Sequence, residues 1–327
     1  MTTAGKIEKQ IIERLRQGGR VLMASHVNPD GDSIGSQLAL YDLCRALGAQ
    51  PLIVNHDPVG KRYRFLAKYD LLQVYDSETD YGDFDLAIPL EATTLERIGD
   101  PCRLLRDSGD IINIDHHPGN TGYGRFNYVD ESVAAAGVLV YRLFTAANVS
   151  LSLDNAMELL MAIMTDTGRF CFSNTNAESM RIAAALIEKG ANPKTINNAL
   201  YQNFSEDQVR LMGELTAGME LHHQGNTCLL VCDRSLCDKY ADDAADMEGL
   251  VNYSLYTAGV RVGVLLRELS DRMIKVSLRS RDTFDVAALA RIYGGGGHRN
   301  AAGCYLEEPL AKAKMTLLKQ IERGLPV

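Results

Sequence analysis

The chain has 327 residues, with 42 Asp and Glu against 34 Lys and Arg, a formal charge of −8 at pH 7. A composition of 46% hydrophobic and 23% charged residues excludes disorder, and no apolar run approaches the roughly 18 residues of a membrane span. The acidic balance argues against tight binding to long nucleic acid, which depends on many Lys and Arg contacts to phosphate, but leaves room for a short phosphorylated substrate.

The length predicts two domains, each with enough chain to bury its own core. The opening MTTAGKIEKQIIERLRQ reads as a polar amphipathic helix, without the apolar stretch of a signal peptide. Strands are then expected at 21–24, 51–54, 84–90 and 110–114, and helices at 33–48, 95–106, 134–147, 153–165 and 177–189. Alternation of this kind predicts an α/β domain over residues 1–190, built as a parallel sheet with helices on both faces. Residues 191–208 break the pattern with Gly, Asn and Pro and are read as a connection. Beyond them, a smaller α/β domain over 209–327 is expected to hold hairpin-like strands around HHQGNT (222–227), two long strands joined at Ser270-Asp271, a helix at 285–293, the loop GGGGH, and a final helix at 309–323. The seven cysteines are scattered and odd in number, which suits reduced thiols and a cytoplasmic location.

Five segments carry chemistry. SHVNPDGDSIGS (25–36) lies where a strand ends and a helix begins, the edge at which open α/β sheets gather ligands. His26, Asp30 and Asp32 can converge there; alternatively the segment is a polar turn in which Asp32 or Ser33 caps the helix. FDLAIPLEAT (84–93) brings Glu91 to another strand end. IDHHPGN (114–120) sets two histidines directly after an aspartate, and a carboxylate beside an imidazole fixes its tautomer, so one ring can bind metal while its neighbour meets substrate. MTDTGRFCFSNT (164–175) stops a helix at Asp166. Together His26, Asp30, Asp32, Glu91, His116 and Asp166 offer two imidazoles and four carboxylates, a mixed set that suits Mn²⁺, Fe²⁺ or Zn²⁺. Six ligands exceed what one open catalytic metal needs and match two metals sharing a carboxylate. The fifth segment, GGGGHRNAAG (294–303), exposes backbone N–H groups beside His298 and Arg299, within a stretch from Arg261 to Arg299 that holds eight Lys and Arg against four Asp and Glu. His222-His223, with no strand-end acid before it, is read as a pair of solvated turn residues.

HVNPDGD, the strand-end acid near residue 91, IDHH, TDTGRF and the distal GGGGHRNAAG together resemble the DHH phosphoesterases with a C-terminal DHHA1 domain. The VSLRSR…DVAALARIYGGGGH run looks most like their bacterial nanoRNase and pAp phosphatase branch. The resemblance implies an active site in the cleft between the two domains, two Mn²⁺ per subunit (Co²⁺ or Mg²⁺ as substitutes), and a water activated between the metals. It implies that His26 and Asp30 hold one metal, that Asp32, His116 and Asp166 hold the other, and that residue 91 bridges them. Asp115 then orients and His117 faces the scissile phosphate, while Ser277, Arg279, Gly295, Gly296, Gly297, His298 and Arg299 hold the phosphate end of the substrate. The substrates implied are short single-stranded RNA and 3′-phosphoadenosine 5′-phosphate (pAp), with no long nucleic acid and no membrane, and the assembly implied is a homodimer. A phosphodiesterase for linear dinucleotides such as pGpG, and a nucleotide-binding regulator without turnover, are the rival expectations. Glu91 favours the regulator, because the family usually places aspartate there.

Overall fold

The computed structural model describes residues 3–105, 109–240, 249–281 and 283–325. Met1 and Thr2 of the expected first helix, Arg106 of the expected helix at 95–106, and Asp282 of the basic stretch lie outside the described residues. The chain divides into two compact units, Met1–Asn203 and Phe204–Val327.

In the first unit, α1 (Thr3–Arg16) leads into β1 (Gly19–Ser25), α2 (Gly31–Ala46), β2 (Ala49–Asn55), β3 (Leu72–Val74), β4 (Leu86–Leu90), β5 (Asp110–Asp115) and β6 (Phe126–Val129). Four helices follow, α3 (Ala136–Ala147), α4 (Leu153–Asp166), α5 (Ala177–Glu188) and α6 (Pro193–Tyr201). The six strands form one sheet in the order β3-β2-β1-β4-β5-β6, and every pair is parallel. Val21 and Met23 of β1 and Ile88 and Leu90 of β4 point into the core shared with the helices. Leu22, Ala24 and Ala87 point the other way. There the cover is not a full helix: the expected helix at 95–106 is two 3₁₀ turns, Leu95–Ile98 and Asp100–Leu105, divided at Gly99 and containing Pro101, which has no N–H to continue an α-helix. The strand order reverses between β1 and β4, the switch point at which doubly wound sheets open a crevice beyond their carboxyl ends.

Helices α2 and α4 touch backbone to backbone. A Cβ on Gly35 would stand 2.3 Å from the Glu158 carbonyl oxygen, so only glycine fits, and the close approach draws the start of α2 toward the end of α4. Helix α6 occupies half of the segment read as a connection, because Ile196 and Leu200 are apolar at helical spacing and join the first core.

The second unit contains α7 (Glu206–Ala217), β7 (Glu220–His222), β8 (Thr227–Cys232), α8 (Arg234–Lys239), a 3₁₀ turn (Leu250–Leu255), β9 (Val262–Ser270), β10 (Met273–Ser280), α9 (Val286–Arg291), β11 (Gly296–His298), β12 (Ala301–Leu306) and α10 (Leu310–Gly324). Its sheet runs β11-β12-β10-β9-β8-β7, antiparallel except between β8 and β9. The GGGGH segment is therefore not all loop: its last three residues pair with β12. Helices α9 and α10 cover one face over Val264, Leu266, Val276 and Leu278. On the opposite face, Leu211 of α7, Cys237 of α8 and Leu250 of the 3₁₀ turn cover Cys228, Leu230 and Leu265 of β8 and β9. On β10 that face carries Lys275, Ser277 and Arg279, all half-buried. All seven cysteines are free. Among the described residues, no helix is long and apolar enough to cross a membrane.

Candidate metal centre

The switch point of the first sheet gathers its acids and histidines from four strand or helix ends. Asp30 caps α2, its Oδ1 accepting from the Ser33 backbone N–H at 3.0 Å. The cap is thus Asp30, not Asp32 or Ser33, since Asp32 already lies inside the first turn. Helix α3 is preceded at its N-cap by Ala135, which has no side chain able to cap it. Asp32 supplies the cap from α2, accepting from Ala136 N at 2.6 Å and Gly137 N at 2.9 Å, and this uses the positive end of the α3 dipole to help stabilise a buried carboxylate. Asp32 is 1% and Glu91 3% exposed.

Glu91 follows β4 in left-handed backbone, φ 55°, a conformation that a non-glycine residue holds only when its surroundings enforce it. Its N–H donates to the Ile114 carbonyl at 2.9 Å, so the turn is tied to β5. The carboxylate then reaches two ways. Oε1 lies 3.1 Å from His116 Nε2, and Oε2 accepts from Ser33 Oγ at 2.8 Å. Two ligand groups result, His26 with Asp30 and Glu91, and Asp32 with Glu91 and His116, each able to bring its ligand atoms within 4.8 Å of one another. Glu91 belongs to both. Asp166 adjoins the second group, its Oδ2 3.6 Å from His116 Nε2.

Proton placement shows what the groups fit. His26 Nδ1 lies 2.8 Å from the Val27 carbonyl and His116 Nδ1 3.3 Å from the Val133 carbonyl. A carbonyl only accepts, so each Nδ1 carries a proton, and it is Nε2, whose lone pair a cation can take in place of a proton, that each ring turns inward. For His116 that lone pair faces oxygens of Glu91, Asp166 and Asp32, the last at 3.7 Å. For His26 it faces Ser33 Oγ at 3.1 Å, whose only hydrogen also serves Glu91, and Asp30 Oδ2 at 4.0 Å. Lone pairs turned toward buried carboxylates need protons or cations between them, and divalent metal suits both places.

The pKa directions agree with this arrangement. Burial, then the charges of Asp32, Asp30 and Asp166, push Glu91 well above the ordinary glutamate value. Asp32 rises to about 6, first through burial, with Asp166 and Asp30 adding and His116 opposing. Burial lowers His116, but Asp166, Asp32 and Asp115 more than reverse it. Asp115 differs: burial raises it, yet hydrogen bonds from His117 and Asn120 hold it below the usual range. Its Oδ1 accepts from the backbone N–H groups of His116 and His117, at 2.8 and 3.0 Å, and lies 2.8 Å from His117 Nδ1. That pins a charged carboxylate behind the His117 ring.

In the second unit, register places Arg279 opposite Ala301, which faces His298, and Ser277 opposite Gly303, which faces Gly296. Directly opposed residues share a face, so Ser277, Arg279, Gly296 and His298 lie together on the α7 side of the sheet, all half-buried. Nothing stands within 4 Å of where a Cβ on Gly296 would be, so its backbone is open on that face. Gly295 and Gly297 have Gly303 and Ala301 carbonyls at their Cβ positions and pack into the hairpin instead. Arg299 occupies the hairpin turn, with Nη2 donating to the Thr283 carbonyl at 2.9 Å.

Three residues not expected among the ligands also enter the first site. Ser33 links His26 to Glu91. Asn120 donates to Asp115 Oδ2 at 2.6 Å, and Asn174 donates to Asp166 Oδ2 at 3.2 Å. Both asparagines lie inside motifs already noted, IDHHPGN and MTDTGRFCFSNT, and an amide a few residues after an acid was the available signal. His222 and His223 meet ordinary partners, Glu220 at 3.1 Å and Thr227 Oγ1 at 2.9 Å.

Comparison with known proteins follows the same division. The DHH family N-terminal domain matches residues 20–165 and the DHHA1 domain residues 231–325. The bifunctional oligoribonuclease and PAP phosphatase NrnA of Thermus thermophilus is 36% identical over 293 residues, 88% of this chain and 85% of that protein. Its counterpart in Bacillus subtilis is 28% identical, over 91% and 92% of the two chains. The crystal structure of an exopolyphosphatase-related protein from Bacteroides fragilis superposes with a TM-score of 0.88 at 26% identity, covering 96% of each chain. The chain belongs to the DHH/DHHA1 phosphoesterase family, in the branch of the bifunctional oligoribonucleases and PAP phosphatases.

Proposed function

We propose that this protein is a divalent-metal phosphoesterase that hydrolyses short oligoribonucleotides and pAp, with Mn²⁺ as its preferred metal. The observation that carries the reading is the Glu91 carboxylate, which serves two ligand groups at once, one with His26 and Asp30 and one with Asp32 and His116. A glutamate set in left-handed backbone reaches both, so its extra methylene gives no support to the reading without turnover.

His26, Asp30, Asp32, Glu91, His116 and Asp166 would hold the cations, which would supply Lewis acidity there, lowering the pKa of a water and offsetting negative charge on the phosphate. The residues of the chain do the rest. Asp115 holds His117 at Nδ1, so the ring's Nε2 is the atom presented to substrate, and the carboxylate behind it stabilises the imidazolium. His117 in that state protonates the leaving oxygen. Asn120 and the backbone N–H groups keep Asp115 ionised, so the proton stays on the imidazole. Ser277, Arg279 and His298 hold the terminal phosphate on their shared face, with Gly296 adding backbone that no side chain obstructs.

The test is phosphate release from pAp beside shortening of a 5′-labelled short RNA, with Mn²⁺, Mg²⁺ or Co²⁺. Both substrates are expected to be hydrolysed, EDTA to stop both, and Mn²⁺ to restore them best. Nucleotide binding without hydrolysis in any of the three metals would overturn the reading.

A further inference from the structure

Beside Arg279, on the same face of the second sheet, lies the 3₁₀ turn Leu250–Leu255, and that turn is fastened to the strands at three points. Ser254 sits on Gly263, the β9 residue opposite Arg279. A Cβ there would stand 1.8 Å from Ser254 Oγ, so only glycine lets the turn descend onto the sheet. Arg279 Nε donates to Asn252 Oδ1 at 3.0 Å, and Arg281 donates through Nη2 to the Leu255 carbonyl. The residue that binds Asn252 is thus the one assigned above to the phosphate.

Immediately after the turn stands Tyr256, 67% exposed. Its ring meets Tyr253 edge to face, centroids 5.1 Å apart at 60°, and Tyr253 packs in turn against the core under α7. A large aromatic side chain in water is ordinarily loose. This one has a second ring behind it, and the turn just before it is held by Arg279 of β10 and by Arg281, one residue past that strand. A rigid, exposed aromatic face beside a basic face matches the chemistry of nucleotide binding, in which cations hold phosphate and a ring stacks on whichever base is attached.

We propose that Tyr256, backed by Tyr253, stacks on the nucleobase of the nucleotide whose terminal phosphate is held by Ser277, Arg279 and His298. The inference rests on the phosphate assignment above and adds what that lacks, a reason to prefer nucleotides over other phosphate monoesters. It selects for a base without selecting which base, because each base offers a π face of similar size.

The experiment is calorimetry on the full chain without metal, using 5′-AMP and ribose 5-phosphate, which share the phosphate and sugar and differ in the base. Stacking of about 1–3 kcal/mol per base corresponds to binding AMP at least about fivefold more tightly than ribose 5-phosphate. Tyr256→Ala is expected to remove that preference and leave the ribose 5-phosphate affinity unchanged, while Tyr256→Phe keeps both. An AMP preference that survives in Tyr256→Ala, or is absent from the natural protein, overturns the proposal. Failure of the underlying assignment reads differently: Arg279→Ala would then leave the affinity for both ligands unchanged.

Discussion

The two sheets of this chain put polar chemistry in different places. In the first, all six strands are parallel and both faces of the central strands are covered, so side chains at mid-strand of β1, β4 and β5 are core and the sheet meets ligands where those strands end. His26, Asp30, Glu91 and His116 all lie just past such ends. The second sheet is largely antiparallel, and the side chains proposed to bind phosphate sit along a strand, half-buried Ser277 and Arg279 alternating with buried Val276 and Leu278. A covered parallel sheet concentrates charge into a crevice that cations can neutralise. An antiparallel sheet with alternating polar positions spreads donors along a strand, where they can line an anion.

Three perturbations separate these two kinds of site. The largest effect is expected from Glu91→Ala, which takes one carboxylate from both ligand groups. Loss of about 4 kcal/mol of transition-state stabilisation, or ~10³-fold in kcat/KM, should follow for pAp and RNA alike, with the far-ultraviolet circular dichroism unchanged. A rate near that of the natural protein would remove residue 91 from the site. Next comes Arg279→Ala, on the face of the second sheet. One charge-assisted hydrogen bond of about 1.5–3 kcal/mol predicts a ~10- to 100-fold rise in KM for substrates with a terminal phosphate, with kcat little changed. Equal losses on substrates lacking that phosphate would contradict the clamp.

The smallest effect concerns pH. With Asp32 raised to about 6 and Glu91 raised further, the metal-free fold holds protons that the unfolded chain releases. For Asp32, the stability so gained is complete below the ordinary aspartate pKa and is lost as the pH rises through about 6. Cations take over from those protons at higher pH. Mn²⁺ should therefore raise the melting temperature by a few degrees more at about pH 8 than at about pH 5. The same increment at both values would exclude Asp32 and Glu91 as ligands.

Much of this was legible before folding because the signals were local. Apolar runs of strand length ending in His or Asp marked β1 and β5, and helical spacing marked α3, α4 and α5 within two residues of their ends. Strands β3 and β6 escaped, being three and four residues long and partly polar. Strand β11 escaped because glycine has no side chain to alternate. Ser33 was expected only as an alternative cap and is not one: the cap is Asp30, and the Ser33 hydroxyl donates to Glu91 instead.

The sequence by itself determined which residues are available for chemistry and that each acid and histidine of the first site stands at an element end, since these follow from periodicity and from turn residues read a few positions at a time. Only tertiary structure decided which ends meet. The strand order brings β1 beside β4, Gly35 lets α2 close on α4, and the α3 N-terminus takes its cap from Asp32, 104 residues earlier in the chain. Those are contacts between segments far apart in sequence, and it is they that turn a net charge of −8 into a buried cluster of carboxylates on one sheet and leave a row of donors on the other.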